Sequence, residues 1–402
     1  MSRMVFSERF EAGQEIFRSG DPARNAYIIE RGQVEVSFES DGEKIIIAIL
    51  GKGELFGEMS MIDDAPRSAT VTALEDTEVV VMQRSRFQRP IMAADPLMNM
   101  LMRVMVNRFR EAQRKMSGLR DGPPDFDPTL EQARQIALRR IEDEKDMRHG
   151  LDIDQFVLNY QPIISLKSGH IAGFEALMRW KKSDGSFISP VEFIPLAEET
   201  GLIVELGRWS LKLAIEDHVD FSKRFAAVFG DQHKLFMSIN VSGLQLSEMA
   251  EIDELSTIIN EAAVDPSMIK LEMTETLLVE DPAHAAKALR KIKESGVSIA
   301  IDDFGTGYSS LSYLHQFPLD TLKIDREFVI NMDKAENSRR IVSSIAQLAL
   351  SLDMNIVAEG IEEKAQMDAL RELGCHYGQG YYMARPMPAE DIIALIDSKP
   401  TW

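Results

Sequence analysis

The second half of the chain alternates short apolar runs with longer stretches of helical periodicity. Each run begins with β-branched or other apolar residues and ends in polar ones, as buried strands do. Seven such runs follow one another: HIAGFEALMR, KLFMSINVS, IKLEMTE, VSIAIDDFG, TLKID, NIVAEGIE and HYGQGYYMARP. Strands that alternate with helices predict βα units around a parallel sheet, and closure of that sheet gives a (β/α)8 barrel.

Acidic and amide residues stand at the ends of these runs. They are Glu175, Asn240, Glu272, Glu275, Asp302, Asp303 and Glu359. In a closed barrel the carboxyl ends of the strands share one rim, so residues far apart in sequence converge there. Mg2+ and Mn2+ favour oxygen ligands, and the adjacent Asp302 and Asp303 could hold two ions. Two ions about 3.5 to 4 Å apart are typical of attack on a phosphodiester, which favours phosphoryl chemistry. The alternative for any single acidic residue is a cap on the following helix.

Further motifs accompany this set. They are YQPI from Tyr160, ExLxR ending at Arg179, FIPLAEETGLI, SINVS, EMTET, DDFGTGYSSLSYL from Asp302, LKID, AEGIE and QGYYMARP. On these motifs the stretch from about Phe156 to Pro388 resembles the EAL domain, a cyclic di-GMP phosphodiesterase domain with a modified TIM-barrel fold. The EAL tripeptide itself is Glu175-Ala176-Leu177.

The resemblance implies roles for individual residues. Glu175, Asn240, Glu272 and Asp302 would hold one metal ion, and Asp303 and Glu359 would serve the second. Glu175, Lys323 and Glu359 are the catalytic candidates, with Lys323 in contact with the attacking water. Gln161, Leu177, Arg179 and Gln379 are candidates for substrate contact, and Glu275 would anchor the loop from Asp303 to about Tyr313. Two alternatives stay open: Lys323 as a solvent-exposed lysine at a strand end, and Gln379 as part of a turn between two glycines.

The implied reaction is metal-dependent hydrolysis of cyclic di-GMP to linear pGpG. Two cations, Mg2+ or Mn2+, would make hydroxide available at neutral pH and offset charge on the phosphoryl oxygens. The chain has no GGDEF-type motif, so synthesis of cyclic di-GMP is not expected. The main rival is a non-catalytic module that senses cyclic di-GMP and signals to a partner protein; the intact set of candidate metal residues argues against it.

The first 90 or so residues have a different pattern. The short strand-like runs AYIIE, QVEVSF and KIIIAIL are broken by turns, which predicts a small antiparallel β-roll. The stretch FGEMSMIDDAPRSATVTA, from Phe56 to Ala73, then resembles the phosphate-binding cassette of the cyclic-nucleotide-binding domains of the catabolite activator family.

That second resemblance implies a ligand site. Glu58 would receive the ribose 2′ hydroxyl and Arg67 would pair with the cyclic phosphate, with Gly57 and Ser68 completing the cradle. Serine rather than threonine follows the arginine, which favours cAMP over cGMP as the allosteric ligand, although base selectivity stays open. The alternative is a β-roll that keeps the fold and binds no nucleotide.

A helix is predicted from Pro96 to Leu119. Its seam steps by four and three residues alternately: Met98, Met102, Met105, Phe109, Ala112, Met116 and Leu119. Such a seam suits a parallel homodimer, and packing against the β-roll is the alternative. The predicted organisation is a β-roll in 1–95, this signalling helix in 96–119, a linker and connecting helix in 120–150, and the EAL domain in 151–402.

Composition narrows the remaining classes. The 402 residues carry a net charge of −20, which argues against a surface for nucleic acid, and no helix-turn-helix motif supports a transcription regulator. No signal peptide or long apolar run is evident, so we expect a cytoplasmic protein without a membrane partner. The one cysteine, Cys375, cannot form an intramolecular disulfide. Together these features predict a cyclic di-GMP phosphodiesterase controlled by a cyclic mononucleotide, with the direction of control open.

Overall fold

The computed structural model describes residues 6–23, 25–40, 43–63, 65–83, 96–116, 128–230, 232–275, 281–305, 316–332 and 336–402. The chain divides into two compact units, residues 1–143 and 144–402. The predicted linker after the first long helix, and all but the first residues of the loop that follows Asp303, lie outside the described residues.

The first unit contains two antiparallel four-stranded sheets. Their strands are β1 Phe6–Phe10, β2 Glu15–Phe17, β3 Asn25–Arg31, β4 Val34–Ser40, β5 Glu43–Leu50, β6 Leu55–Phe56, β7 Thr70–Ala73 and β8 Thr77–Gln83. One sheet has the order β1-β8-β3-β6 and the other β2-β7-β4-β5. Apolar residues alternate with polar ones along these strands, and their inner faces form a core that includes Ile29, Val34 and Val79. The predicted antiparallel β-roll is confirmed.

Helices accompany these sheets. They are α1 Met59–Ile62, α2 Pro96–Met116 and α3 Pro128–Asp152, and the division between the two units falls within α3. A helix therefore forms over the described residues 96–116, within the range in which a signalling helix is predicted. Among the helices in the described parts of the chain, none combines the length and apolar content that crossing a membrane requires.

The second unit is built on a closed barrel of eight strands. They are β9 Phe156–Ser165, β10 Ile171–Lys181, β12 Phe236–Asn240, β13 Ile269–Thr274, β14 Ser298–Phe304, β15 Thr321–Ile324, β16 Asn355–Ala358 and β17 Tyr377–Gly378, while β11 Phe187–Ile188 pairs outside the barrel with β10. All seven runs seen in the sequence contribute strands, and the predicted TIM-like barrel is confirmed.

The eighth strand, β9, is not among those seven runs. It pairs antiparallel with both β10 and β17, so it closes the barrel against the direction of the other strands. A short hairpin joins β9 to β10, and their register places Gln161 opposite Glu175. The start of β9 therefore lies beside the carboxyl end of β10, at the rim where the candidate site residues stand.

Helices pack around the barrel. They are α4 Pro190–Thr200, α5 Ile203–Phe229, α6 Gly243–Ser247, α7 Met249–Glu261, α8 Pro282–Lys293, α9 Arg326–Asn331, α10 Glu336–Ser351, α11 Lys364–Glu372 and α12 Ala389–Asp397. Local sequence explains where α8 begins and ends. The Asp281 carboxylate accepts a hydrogen bond from the backbone N–H of His284, Pro282 occupies the first helical position, and basic residues fill the last turn of α8.

Candidate functional site

A β-bulge brings two neighbouring aspartates to the rim. Strand β14 pairs regularly with β15 up to Ile301, and Phe304 then pairs with Ile324, so Asp302 and Asp303 together oppose the single residue Lys323. Regular alternation would send adjacent side chains to opposite faces of the sheet. Asp303 has the left-handed backbone angle φ 53°, and its carboxylate lies in one acidic group with Asp302 and Glu359. The bulge is what makes a paired-aspartate site possible here.

Lys323 lies at the centre of the acidic residues. Its side chain is fully buried, and its Nζ lies 2.6 Å from Glu272 Oε2, 2.6 Å from Glu359 Oε1, 3.1 Å from Asp302 Oδ1 and 3.6 Å from Glu175 Oε1. The alternative of a solvent-exposed lysine is therefore wrong. One ammonium among four carboxylates leaves a formal excess of three negative charges, which favours the binding of further cations.

Amide side chains orient Glu175. Asn240 Nδ2 donates to Glu175 Oε1 at 3.1 Å, and Gln379 Nε2 donates to Glu175 Oε2 at 2.6 Å. The same Gln379 nitrogen lies 2.9 Å from Gln161 Oε1, and Gln161 donates in turn to the carbonyl of Ala384. These bonds join β9, β10, β12 and the segment after β17, so they bring the candidate residues Asn240, Gln379 and Gln161 together beside Glu175.

The acidic residues form two overlapping groups suited to metal ions. Carboxylate oxygens of Glu175, Glu272 and Asp302 lie within 4.8 Å of one another, and so do those of Asp302, Asp303 and Glu359. Glu272 is fully buried, yet within the described parts of the chain its Oε1 has no hydrogen-bond partner, and the buried Gln379 Oε1 also lacks one. A buried carboxylate oxygen without a partner is costly unless a cation binds it. The residues present therefore fit a site for divalent metal ions, with Asp302 shared between two groups.

Burial and mutual repulsion shift the ionisation of this cluster. Burial raises the pKa of Glu272 to about 7, against the opposing effect of Lys323. Burial also raises the pKa of Glu359 well above its usual range. For Lys323, burial favours the neutral amine, but the attraction of the four surrounding carboxylates is stronger and raises its pKa. The surrounding carboxylates therefore favour the charged form of Lys323.

Close packing explains the two glycines that flank Gln379. A Cβ at Gly380 would lie 2.1 Å from the carbonyl oxygen of Ile361, and a Cβ at Gly378 would lie 2.6 Å from the Ile361 side chain. The backbone N–H of Ile361 donates to the Gln379 carbonyl at 3.0 Å. The segment after Glu359 thus packs directly against the segment that carries Gln379, and this contact requires residues without side chains.

Replacing Gly380 with alanine should therefore disturb both stability and the site. We expect the free energy of unfolding to fall by about 1–3 kcal/mol, because the new methyl group forces the Ile361 backbone away. Denaturant unfolding checks the loss, and Gly51→Ala is the matched control, since the nearest atom to a Cβ at Gly51 lies 4.0 Å away. Equal stability of the two variants would contradict the packing argument.

The remaining predicted residues lie around this centre. Glu275 Oε2 accepts a hydrogen bond from the backbone N–H of Gly305 at 3.2 Å, an arrangement consistent with its predicted role as a loop anchor. Arg179 donates to its own neighbour, the Met178 carbonyl, and burial lowers its pKa against the attraction of Glu175. Leu177 lies on β10 opposite Asn159 and is partly buried. Because its side chain has no polar atom, it can offer a substrate only apolar contact.

The first unit contains a cavity of about 210 Å3 at the predicted nucleotide site. Gly57, Glu58, Arg67 and Ser68 all line it. The rest of the lining is mostly apolar and comes largely from β4, β5, β6 and α2, including Val36, Ile47, Leu50, Leu55 and Phe109. The sequence predicts Phe109 only as a residue of the helix seam, because no motif around it indicates a contact with the cavity.

Arg67, which lines the cavity, is held in place by hydrogen bonds and by an aromatic ring. Its Nη1 donates to the Gly57 carbonyl at 2.9 Å and its Nη2 to the Asn25 carbonyl at 2.5 Å, while the guanidinium stacks 4.0 Å from the centre of the Phe17 ring. The buried Nε has no hydrogen-bond partner among the described residues. A buried cation with an unused donor is suited to an anionic group. Phe17 carries no sequence signal, because its role depends on a strand that is distant in sequence.

Comparison with known proteins identifies both domains. A family model described as EAL domain matches residues 144–386, and one described as Cyclic nucleotide-binding domain matches residues 7–93. Among solved structures, the EAL enzyme Bd1971 in its cGMP-bound form is 35% identical, with a TM-score of 0.76, over 97% of this chain and 100% of that chain. A form of Bd1971 with cAMP and cyclic di-GMP bound matches with the same score, identity and coverage.

Curated relatives match the second unit. The bifunctional diguanylate cyclase/cyclic di-GMP phosphodiesterase MucR of Pseudomonas aeruginosa is 38% identical over 62% of this chain and 36% of its own length. The cyclic di-GMP phosphodiesterase NbdA of the same organism is 36% identical over 64% of this chain and 32% of its own length. The chain thus spans about a third of the length of these curated relatives. On the extent of the matched domain model and the likeness to Bd1971 along nearly the whole chain, this protein belongs to the EAL-domain family and also carries a cyclic nucleotide-binding domain.

Proposed function

We propose that this protein hydrolyses cyclic di-GMP to linear pGpG at the barrel rim, with divalent metal ions held by the acidic cluster. The observation that carries the proposal is the fully buried Glu272, whose carboxylate has one oxygen on Lys323 and one that no described residue contacts by a hydrogen bond. MucR and NbdA are named for cyclic di-GMP, and Bd1971 has been solved with cyclic di-GMP bound, which supports the choice of substrate.

Individual residues have distinct tasks in this proposal. Glu175, Asn240, Glu272 and Asp302 would hold one ion, and Asp303 and Glu359 would serve the second. When bound, Mg2+ or Mn2+ would make a hydroxide nucleophile available at neutral pH and would offset negative charge on the phosphate. The carboxylates favour the charged form of Lys323, which in this proposal donates a hydrogen bond to the attacking water and limits repulsion among the carboxylates. Gln379 and Asn240 fix the rotamer of Glu175.

Substrate recognition is assigned to the rim around this centre. Arg179 offers a fork of N–H donors to a phosphate of the dinucleotide, and its present bond to a neighbouring carbonyl leaves donors for that contact. Gln161, Leu177 and Gln379 complete the proposed substrate contacts. Because Gln161 is bonded to Gln379 and to the Ala384 carbonyl, its side chain is held in a fixed position relative to the segment after β17.

The direct test is hydrolysis of cyclic di-GMP with purified full-length protein. We expect pGpG in the presence of Mg2+ or Mn2+, no product after chelation by EDTA, and recovery when either metal is added back. The same assay run with cAMP, with cGMP and without either shows whether a cyclic mononucleotide changes the rate. Binding of cyclic di-GMP without any product under these conditions would indicate that the protein is a sensing module and not an enzyme.

The first unit is proposed as the regulatory domain that binds a cyclic purine nucleotide. Glu58 and Arg67 line its cavity. The Arg67 Nε has no hydrogen-bond partner among the described residues, so it is available to donate to an anionic phosphate. Apolar residues make up most of the remaining described lining, so hydrophobic contact supplies most of the purine binding there. Bd1971 has been solved with cAMP and with cGMP, which supports purine nucleotides as the ligand class. We favour cAMP on the strength of Ser68.

We also propose a homodimer formed through α2. Three residues of the predicted seam are exposed: Met98 by 55%, Met105 by 70% and Phe109 by 49%; Leu101 on the same helix is 45% exposed. The alternative, packing of the whole seam against the β-roll, does not account for that exposure. Light scattering on the purified chain should give twice the mass of one chain, and substitution of Met105 by glutamate should shift the protein to the mass of a monomer. A monomeric parent protein would contradict the proposal.

A further inference from the structure

Arg110 joins helix α2 to the segment between the two main nucleotide-binding candidates. Its guanidinium forms an ion pair with Asp63 through Nε, and Nη2 lies 3.1 Å from the other Asp63 oxygen. Nη2 also donates to Ser60 Oγ at 3.3 Å, and Nη1 donates to the Pro66 carbonyl at 3.0 Å. One side chain therefore contacts three residues of a single short segment.

This segment is the part of the cassette that connects Glu58 to Arg67. Ser60 and Asp63 are buried, and the side chains of Arg110 and Asp63 are 12% and 5% exposed. Asp63 Oδ1 also accepts from the backbone N–H of Ala65, which fixes the turn before Arg67. A buried, multiply bonded ion pair is costly to break, because either partner alone would leave an uncompensated charge.

The neighbouring residue on α2 contacts the ligand space itself. Phe109 lines the cavity, and Arg110 follows it in the same helical turn. A nucleotide in the cavity would thus contact α2 through Phe109 and the cassette through Glu58 and Arg67. Arg110 connects the two, since it is bonded to the cassette from the helix.

We propose that Arg110 is a positioning residue of the nucleotide site, which acts through Asp63 and Ser60 to hold Glu58 and Arg67 and makes the cassette and α2 respond together when nucleotide binds. This inference rests on the proposed nucleotide-binding function of the first unit. A ligand shifts an equilibrium only by contacts that differ between its states. The ion pair between Arg110 and Asp63 makes the position of α2 depend on the cassette that the ligand contacts.

The test uses the full chain with Arg110→Gln, and Arg108→Gln as the matched control. Arg108 is an exposed arginine on the same helix. We expect Arg110→Gln to bind cAMP about tenfold more weakly, in line with the loss of charged hydrogen bonds. The ratio of cyclic di-GMP hydrolysis rates with and without saturating cAMP should move to about one, whereas Arg108→Gln should keep the parent affinity and ratio. Parent-like affinity and ratio in Arg110→Gln would overturn the inference.

Two further measurements separate positioning from a general loss of structure. Arg110→Lys keeps a cation for Asp63 but lacks the guanidinium fork, so we expect a partial recovery of the cAMP response. Hydrogen exchange without any nucleotide should be faster in residues 59–63 and 65–67 of Arg110→Gln than of Arg108→Gln, with the barrel unchanged. This readout does not depend on ligand binding or catalysis. If the parent protein neither binds cyclic nucleotides nor hydrolyses cyclic di-GMP, the proposed function fails. Hydrogen exchange still tests the positioning role of Arg110, and unchanged exchange in residues 59–63 and 65–67 would reject that role.

Discussion

Glu272→Gln is expected to lower the rate of cyclic di-GMP hydrolysis by on the order of 1,000-fold, since metal ions contribute several kcal/mol to such reactions. The amide has nearly the same shape as the carboxylate but lacks its charge. The amide can be oriented in two ways. Its N–H donors would face either the ammonium of Lys323, which lies 2.6 Å from Glu272 Oε2 in the parent protein, or the other acidic groups. Activity at saturating Mn2+ should stay low, because the ligand set is incomplete rather than weakly occupied.

The control for this variant is Glu327→Gln, which removes the same charge from an exposed position on α9. Its hydrolysis rate should equal that of the parent protein. Binding of cAMP should be unaltered in both variants, which shows that the first unit remains folded. A Glu272→Gln protein that retained a tenth or more of the parent rate would remove Glu272 from the metal site.

Arg67→Ala is expected to weaken cAMP binding by at least about 30-fold, since truncation of one partner of a buried charged contact costs about 2–5 kcal/mol. The guanidinium is held by the carbonyls of Gly57 and Asn25 and by the Phe17 ring, so it is already in place for a phosphate. Titration calorimetry measures the affinity, and the cAMP effect on hydrolysis should disappear at concentrations that saturate the parent.

Arg67→Lys separates charge from geometry at this position. A lysine ammonium keeps the positive charge but cannot make the same paired contacts, so its affinity should fall between those of the parent and Arg67→Ala. Substitution of the exposed Arg9 by alanine is the control and should leave cAMP affinity unchanged. Affinity of Arg67→Ala within threefold of the parent would show that this cassette does not bind the phosphate.

The sequence predicts most of the barrel because its strands are apolar runs with polar ends. Strand β9 escapes this pattern for a physical reason: although it ends in Ser165, the polar residues Asn159 and Gln161 interrupt its apolar run, and its direction against β10 depends on a hairpin. The acidic residues of the site are recognisable because they come after the apolar residues of a run, although the structure places all but Glu275 and Glu359 within the strands themselves. Their common environment around Lys323 is indicated only by the family resemblance, since the local pattern does not show that a lysine in a strand points into the barrel.

Other contacts have no local pattern at all. Arg110 and Asp63 are 47 residues apart, and neither lies in a repeat or motif that would pair them. The need for glycine at position 380 comes from the Ile361 backbone, which is equally invisible to a local pattern. Such contacts depend on how finished elements pack, so they become visible only in three dimensions.

The bulge at Asp302 and Asp303 sets two requirements against each other at one position. A left-handed backbone is least costly for glycine, which has no carboxylate, while the acidic group at this position requires an aspartate. The left-handed backbone of Asp303 therefore costs conformational free energy, and the surrounding barrel offsets that cost. Selection for thermal stability alone would favour glycine there, so a more heat-resistant Asp303→Gly variant would have exchanged turnover for durability.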